Sequence, residues 1–281
     1  MPAAAYTGVA SSADGTFMAT AVFGGYLRMT DSAGASWRAG SEFKNWVAVA
    51  ISGNGEVMAA AEIDAYCTDA LISILGGSCE GKTTDDAVDG GYIWISNDRG
   101  HTWQRIDSES WHRQSWKSLS CSYDGSKCAA TASRNPYVFV SDTRGLSWQG
   151  QWVGNNDVDF RGVAVSGDGA TVAACARNGG LWASYDGGES WEDMTSRSGE
   201  RQWEDVALSY YGSYWAAVAR GDYVYMSTDL GVTWHQKAWI SEWRSIAMTH
   251  DGRRYAAVGE SGSVARAATS KSRDQWETSG V

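Results

Sequence analysis

Arg134, Arg177 and Arg220 recur at one register of a repeating pattern, in its third to fifth copies, with Glu260 following at the sixth copy and Phe23 at the first. Three guanidinium groups brought together would hold a carboxylate or sulfate through bidentate hydrogen bonds. Lys117, Arg161, Glu204 and Arg244 share a second register, each one residue after an aromatic. Glu204, its neighbour Asp205, Asp222 and Glu260 are the carboxylates that could act with the arginines. Arg134, Arg177, Arg220, Glu204 and Asp205 are therefore the candidates for catalysis, although the sequence does not assign acid and nucleophile. The aromatics themselves are Tyr6, Trp46, Trp116, Phe160, Trp203 and Trp243, and Trp111, Trp152 and Trp239 fall in loops. A flat ring offered to solvent stacks on a sugar, whereas the same ring turned inward packs one repeat against the next. Both readings stay open here. Together with Lys117, Arg161 and Arg244, these aromatics form the expected ligand-binding set.

The elements that carry these residues are legible from the repeat. Ser/Thr-x-Asp-x-Gly-x-Ser/Thr-Trp occurs cleanly at 96–103, 184–191 and 227–234. Variants occur at 30–37, 141–148 and 269–276. A second unit alternates with it and runs from the aromatic through a small/apolar alternation to a Gly turn. Its six copies are 6–15, 46–55, 116–125, 160–169, 203–212 and 243–252. Each period of about 43 residues reads as four short strands separated by Gly-containing turns, a propeller blade. The expectation is an all-β, six-bladed β-propeller of four-stranded antiparallel blades with Asp-box turns. It forms one domain over 1–281, with blades near 6–45, 46–115, 116–159, 160–202, 203–242 and 243–281. Closure is expected from packing of the sixth blade on the first.

The octapeptides resemble the Asp-box of sialidase-like (BNR-repeat) propellers, and the resemblance covers nearly the whole chain. It implies that these boxes sit on turns away from any ligand, so Asp98, Asp186 and Asp229 are read as structural. It also implies three functional classes. One is carbohydrate recognition of lectin type, through a Trp- and Arg-lined funnel. The second is a glycan-active enzyme, or one acting on another small anionic substrate, with an arginine triad. The third is an assembly scaffold, as in Asp-box propellers that assist photosystem assembly. The sialidase Phe-Arg-Ile-Pro motif is missing, since the chain's prolines are Pro2 and Pro136.

An insertion, 63–91, lies in the second blade as a lid or specificity loop. Within it, Thr68-Asp69 before 70–75 has the signature of a short helix, and Asp85, Asp86 and Asp89 read as a solvated acidic loop. Cys67 and Cys79 bracket that segment, Cys121 and Cys128 flank a hairpin turn, and Cys175 is left over. Two disulfides would place the chain in an oxidising compartment, and five reduced thiols would not. The four histidines show no metal-ligand grouping, and neither metal nor cofactor is expected. Lys+Arg 23 against Asp+Glu 33, net −10, disfavours nucleic acid. No apolar run is long enough to span a membrane, and the first residues do not read as a signal peptide. The expected partner is a carbohydrate or small molecule.

Overall fold

The computed structural model describes residues 5–63, 90–107, 113–153, 158–268 and 277–278. Most of the insertion, including Cys67, Cys79 and the acidic cluster, lies outside these residues, as do Trp111 and the last octapeptide.

The first sheet holds β1 (Ala5–Ser11), β2 (Met18–Phe23), β3 (Gly25–Thr30) and β4 (Arg38–Lys44) in sequence order. Three further four-stranded sheets repeat the plan. They hold β5 (Trp46–Ile51) to β8 (Gln104–Arg105), β9 (Trp116–Cys121) to β12 (Gln149–Trp152), and β13 (Phe160–Val165) to β16 (Glu192–Asp193). The last is a six-stranded sheet from β17 (Trp203–Leu208) through β18 (Trp215–Ser227), β19 (His235–Met248), β20 (Arg254–Gly259) and β21 (Val264–Ala268) to β22 (Glu277–Thr278). All pairings are antiparallel.

The expected six blades are thus corrected to five, because the fifth and sixth repeats share one sheet. The reason is local. β18 runs on through Gly221 (φ +65) as one strand and pairs with β19 on both sides of register shifts at Arg220/Asp222 and Asp222/Val224. The link between the repeats, Ala238 to Glu242, includes Trp239 and Ile240 and continues as strand into Trp243.

Six inner-strand segments line a central channel of about 810 Å³. Behind them stand the second strands β6 (Met58–Glu62), β10 (Cys128–Ala132) and β14 (Val172–Ala176), buried along their whole length. Their alanines let neighbouring sheets approach closely. Every inner strand carries a β-bulge directly after its aromatic, between Tyr6 and Gly8, Trp46 and Ala48, Trp116 and Ser118, Phe160 and Gly162, Trp203 and Asp205, and Trp243 and Ser245. The extra residue shifts the alternation by one. The aromatic therefore joins residues i+3 and i+5 in the core, as Trp46 does with Val49 and Ile51, and Phe160 with Val163 and Val165.

The opposite ends of the inner strands are joined by backbone hydrogen bonds between successive turns. Ala13 N–H donates to Gly53 O (2.9 Å), Asn54 to Tyr123 (2.8 Å), Tyr123 to Gly167 (2.8 Å), Asp168 to Tyr210 (3.0 Å) and Tyr210 to His250 (2.8 Å). Among the described residues no such bond joins the His250 turn to the Ala13 turn. Side-chain packing is interrupted at the same junction. Val9 is 73% exposed, whereas Val49, Leu119, Val163, Val206 and Ile246 are at 3–8%. Across the gap Val258 is 45% exposed, where Ala61, Cys175 and Val218 are at 0%. Among the described residues the expected packing of last unit on first is not made, which leaves an open seam between them.

The five shared turns with Ser-x-Asp/Asn-Gly or Thr-x-Asp-Gly are built alike: Ser12 donates to Asp14 (2.6 Å), Ser122 to Asp124 (2.9 Å) and Thr249 to Asp251 (2.6 Å). The octapeptides brace these turns, through bonds such as Arg99 N–H to Glu56 O and Leu230 N–H to Ser213 O (both 3.2 Å). Within one of them Ser227 donates to Asp229 (2.7 Å), and Asp229 accepts from the Thr233 N–H (2.9 Å). Bonds from the Thr233 hydroxyl and N–H, then from the Ser227 hydroxyl, hold the Asp229 carboxyl down at about 2. Cys121 and Cys128 are directly opposed in register and form a disulfide, while Cys175 is free and buried.

One register, two environments, gives the first test. Val163→Asp should lower the unfolding free energy by about 3 kcal/mol or more in urea titration, because it buries a charge between sheets. Val9→Asp at the seam should change it by no more than about 0.5 kcal/mol. Equal losses would mean that the seam is closed in solution.

Candidate functional site

The bulge decides what reaches the channel mouth. The extra residue in each inner strand is Thr7, Val47, Lys117, Arg161, Glu204 or Arg244, and all six line the channel. The preceding aromatics do not serve as platforms there. Trp46, Trp116, Phe160, Trp203 and Trp243 are essentially fully buried between sheets. The Trp indoles donate to carbonyls of the preceding segment, Trp116 to Gly91 (2.9 Å) and Trp243 to Trp239 (3.1 Å). Tyr6 differs, because it lies at the seam, and is exposed. Of the loop tryptophans, Trp152 is exposed, edge-on to Tyr137 at 5.2 Å, and Trp239 packs against Trp243. Trp111 is outside the described residues.

The charges form one connected system. Arg177 donates through Nη2 (2.6 Å) and Nε (3.1 Å) to Oε1 of Glu204, whose carboxylate is nearly buried. Arg244 reaches the same oxygen at 3.2 Å and pairs on its other side with Glu260. Glu260 lies 3.9 Å from Arg220, which donates to Glu242 at 2.7 Å. The Arg244 bond, then its charge, keep the Glu260 carboxyl below its ordinary range. On the other flank Arg161 pairs with Asp159 (2.6 Å), and its Nε is buried with no hydrogen-bond partner among the described residues. Arg134 stands apart: it is exposed, in a left-handed conformation (φ +52), and its backbone N–H points at Asp159 (3.4 Å). Arg177 and Arg220 thus join Arg244 in one network, and Arg134 does not.

Asp205 has a different task. One oxygen accepts from the Val206 N–H (2.9 Å), the other from the Ser245 hydroxyl (2.7 Å) and the Ile246 N–H (3.0 Å). It stitches β17 to β19 from a partly buried position on the channel wall. Burial raises its carboxyl to about 6, outweighing these donors. The thiol of Cys175 lies close by against Gly162, pushed up by burial and then by the charge of Asp205.

Asp159 and Glu242 were not singled out by sequence reasoning, yet each pairs with a mouth arginine. The available signal was their position, directly before the inner-strand aromatic. Also missed were Tyr123, Tyr210 and His250, at the far end of the channel. Their rings are mutually 5.4–5.8 Å apart and cap the axis there. The signal was the turn position after Ser or Thr, which reads Ala13, Gly53, Tyr123, Gly167, Tyr210, His250. The two small residues Gly53 and Gly167 leave room, since a Cβ on either would fall 2.3 Å from the Tyr123 or Tyr210 ring.

Fold and mouth define a β-propeller with a polar, charge-paired channel entrance. Neither a protein-family model nor a curated protein matches the sequence. Solved structures do match in fold. YCF48 bound to D1 peptide superposes with a TM-score of 0.63 at 12% identity, over 98% of this chain and 81% of that one. YCF48 from Cyanidioschyzon merolae gives 0.63 at 12%, over 98% and 85%. The GH74 xyloglucanase from Xanthomonas campestris gives 0.68 at 12%, over 99% of this chain and 45% of that one. The chain therefore spans less than half the length of the xyloglucanase.

Asp205 supplies a pH test. Its carboxyl is raised by folding, so its contribution is intact below about pH 4, the unfolded value, and is lost as pH rises through about 6. The loss is on the order of 2 kcal/mol. Asp205→Asn removes that dependence. The stability of wild type relative to the variant should fall between pH 4 and pH 7, as measured by urea unfolding at fixed ionic strength. Parallel curves would show that Asp205 is not the titrating group.

Proposed function

We propose that the chain is a binding propeller that takes a carboxylate-rich segment of a protein partner at the charged mouth of its channel. The observation that carries this is the run Arg177–Glu204–Arg244–Glu260–Arg220–Glu242. Glu204, nearly buried, fixes two guanidinium groups from below. Glu260 and Glu242 are about half exposed, so an incoming carboxylate can replace either one on Arg244 or Arg220 without rebuilding the site. Exchanging one partner for another leaves no buried charge unpaired, which keeps the desolvation cost low. Arg161 and Lys117 extend the positive rim on a chain whose net charge is −10. The fold similarity to YCF48, bound in one structure to a D1 peptide, supports a polypeptide ligand.

Carbohydrate recognition is the second reading, favoured by exposed Tyr6 on the channel lining, by exposed Trp152 and by the fold similarity to GH74 enzymes. The enzymatic reading has less support, since Arg177 and Arg244 engage Glu204 and protein donors occupy both oxygens of Asp205.

Fluorescence anisotropy with a labelled Glu/Asp-rich 15-residue peptide tests the proposal. Arg220→Ala should weaken binding by about 10-fold or more, the value of a charge-assisted hydrogen bond, with little change in melting temperature. A Lys-rich peptide should not bind. Binding of an acidic oligosaccharide with the acidic peptide silent would replace this reading by the second.

A further inference from the structure

The face opposite the mouth carries aromatic surface that the channel does not use. Outside the Tyr123–Tyr210–His250 cap, the Ser209–Tyr214 turn and His250-Asp251 enclose a cleft of about 450 Å³. Tyr210, Tyr211, Tyr214 and His250 form its walls. Tyr211 is 73% exposed and stands edge-on to Tyr210 at 4.8 Å. Tyr214 is held against Gly252, where a Cβ would fall 2.6 Å from its ring. These walls are therefore placed by backbone geometry on two neighbouring repeats, and are fixed further by the Tyr210 N–H bond to the His250 carbonyl.

Polar groups frame the rings. Among the described residues the hydroxyls of Tyr210, Tyr211 and Tyr214 have no hydrogen-bond partner. Oδ1 of Asp251, which lines the cleft, accepts from the Thr249 hydroxyl (2.6 Å) and the Arg253 N–H (2.9 Å), which leaves Oδ2 as an acceptor. A ligand of the right chemistry must offer apolar C–H faces to the rings and hydroxyls to the rim. A purely apolar ligand would strip water from these polar groups without replacing it. An anion meets the Asp251 carboxylate, and the tyrosine hydroxyls at the rim suit the hydroxyls of a neutral ligand.

We propose that this cleft is a second binding site, separate from the mouth, and that it takes a neutral saccharide, one pyranose face lying on Tyr211 with the ring hydroxyls meeting the tyrosine hydroxyls and Asp251.

The test uses the whole chain and titrates cellohexaose, xylohexaose and mannohexaose by saturation-transfer NMR and calorimetry. At least one should bind. Tyr211→Ala, at an exposed position, should weaken that binding about 10-fold or more while the melting temperature stays unchanged, and Tyr211→Trp should retain it. Arg220→Ala should leave it untouched, which separates this site from the mouth. Three results would overturn the proposal: no binding by any of the three, binding indifferent to Tyr211→Ala, or binding lost with Arg220→Ala. A proline-rich decapeptide that binds through Tyr211 where the sugars do not would assign the cleft to a polyproline segment and likewise overturn it. Acidic-peptide binding is read separately, so either site can fail without the other.

Discussion

The structure depends on one extra residue placed after the first aromatic of every inner strand. A regular strand alternates its side chains and would place that aromatic on the same face as residue i+2. The bulge breaks the alternation once, at the channel mouth. The aromatic turns between sheets, where it packs with i+3 and i+5 and its indole N–H finds a carbonyl. The inserted residue turns to the entrance. Packing and recognition are thus assigned to adjacent positions, and each can vary without disturbing the other. The inserted set runs from Thr7 and Val47 to Lys117, Arg161, Glu204 and Arg244, while the preceding residue stays aromatic throughout and is buried in all but Tyr6.

The two ends of the inner strands follow different rules. At the mouth, long side chains bond to one another across repeats, and the geometry depends on ion pairs that solvent partly reaches. At the other end the backbone itself makes the links. Short turns, closed by a Ser or Thr hydroxyl on an Asp or Asn side chain, pass hydrogen bonds from one repeat to the next, and the octapeptides brace them from outside. The first end is adaptable in charge, and the second is fixed in shape. That contrast explains why Tyr123, Tyr210 and His250 can meet as a tight three-ring cap although they come from three separate repeats.

Much of this was legible in the sequence. The octapeptides and the Gly turns located nearly every strand, because they depend on local chemistry that a string of residues displays. The register of Lys117, Arg161, Glu204 and Arg244 was visible too, since a repeat preserves register. Two things were not. Whether Trp46 or Trp203 faces sugar or core hinges on a bulge, and a bulge leaves no composition of its own. Whether the fifth and sixth repeats separate hinges on whether Ala238 to Glu242 stays paired. Its residues suit a strand as well as a linker, and the pairing of Ser241 and Glu242 with β18 decided it. The partners Asp159 and Glu242 were hidden because each stands just before an inner-strand aromatic, at a position outside both repeat motifs.

The seam gives the molecule a property that a closed propeller lacks. A continuous hoop has a fixed perimeter, and its bore widens only if some joint yields. Here five joints are packed and the sixth, between Val9 and Val258, stands open among the described residues. The molecule is therefore a split collar, whose bore responds to bending spread over all its sheets and not to rupture at one of them. The diameter of the channel becomes an elastic variable, set by the stiffness of the blades and by whatever sits between them.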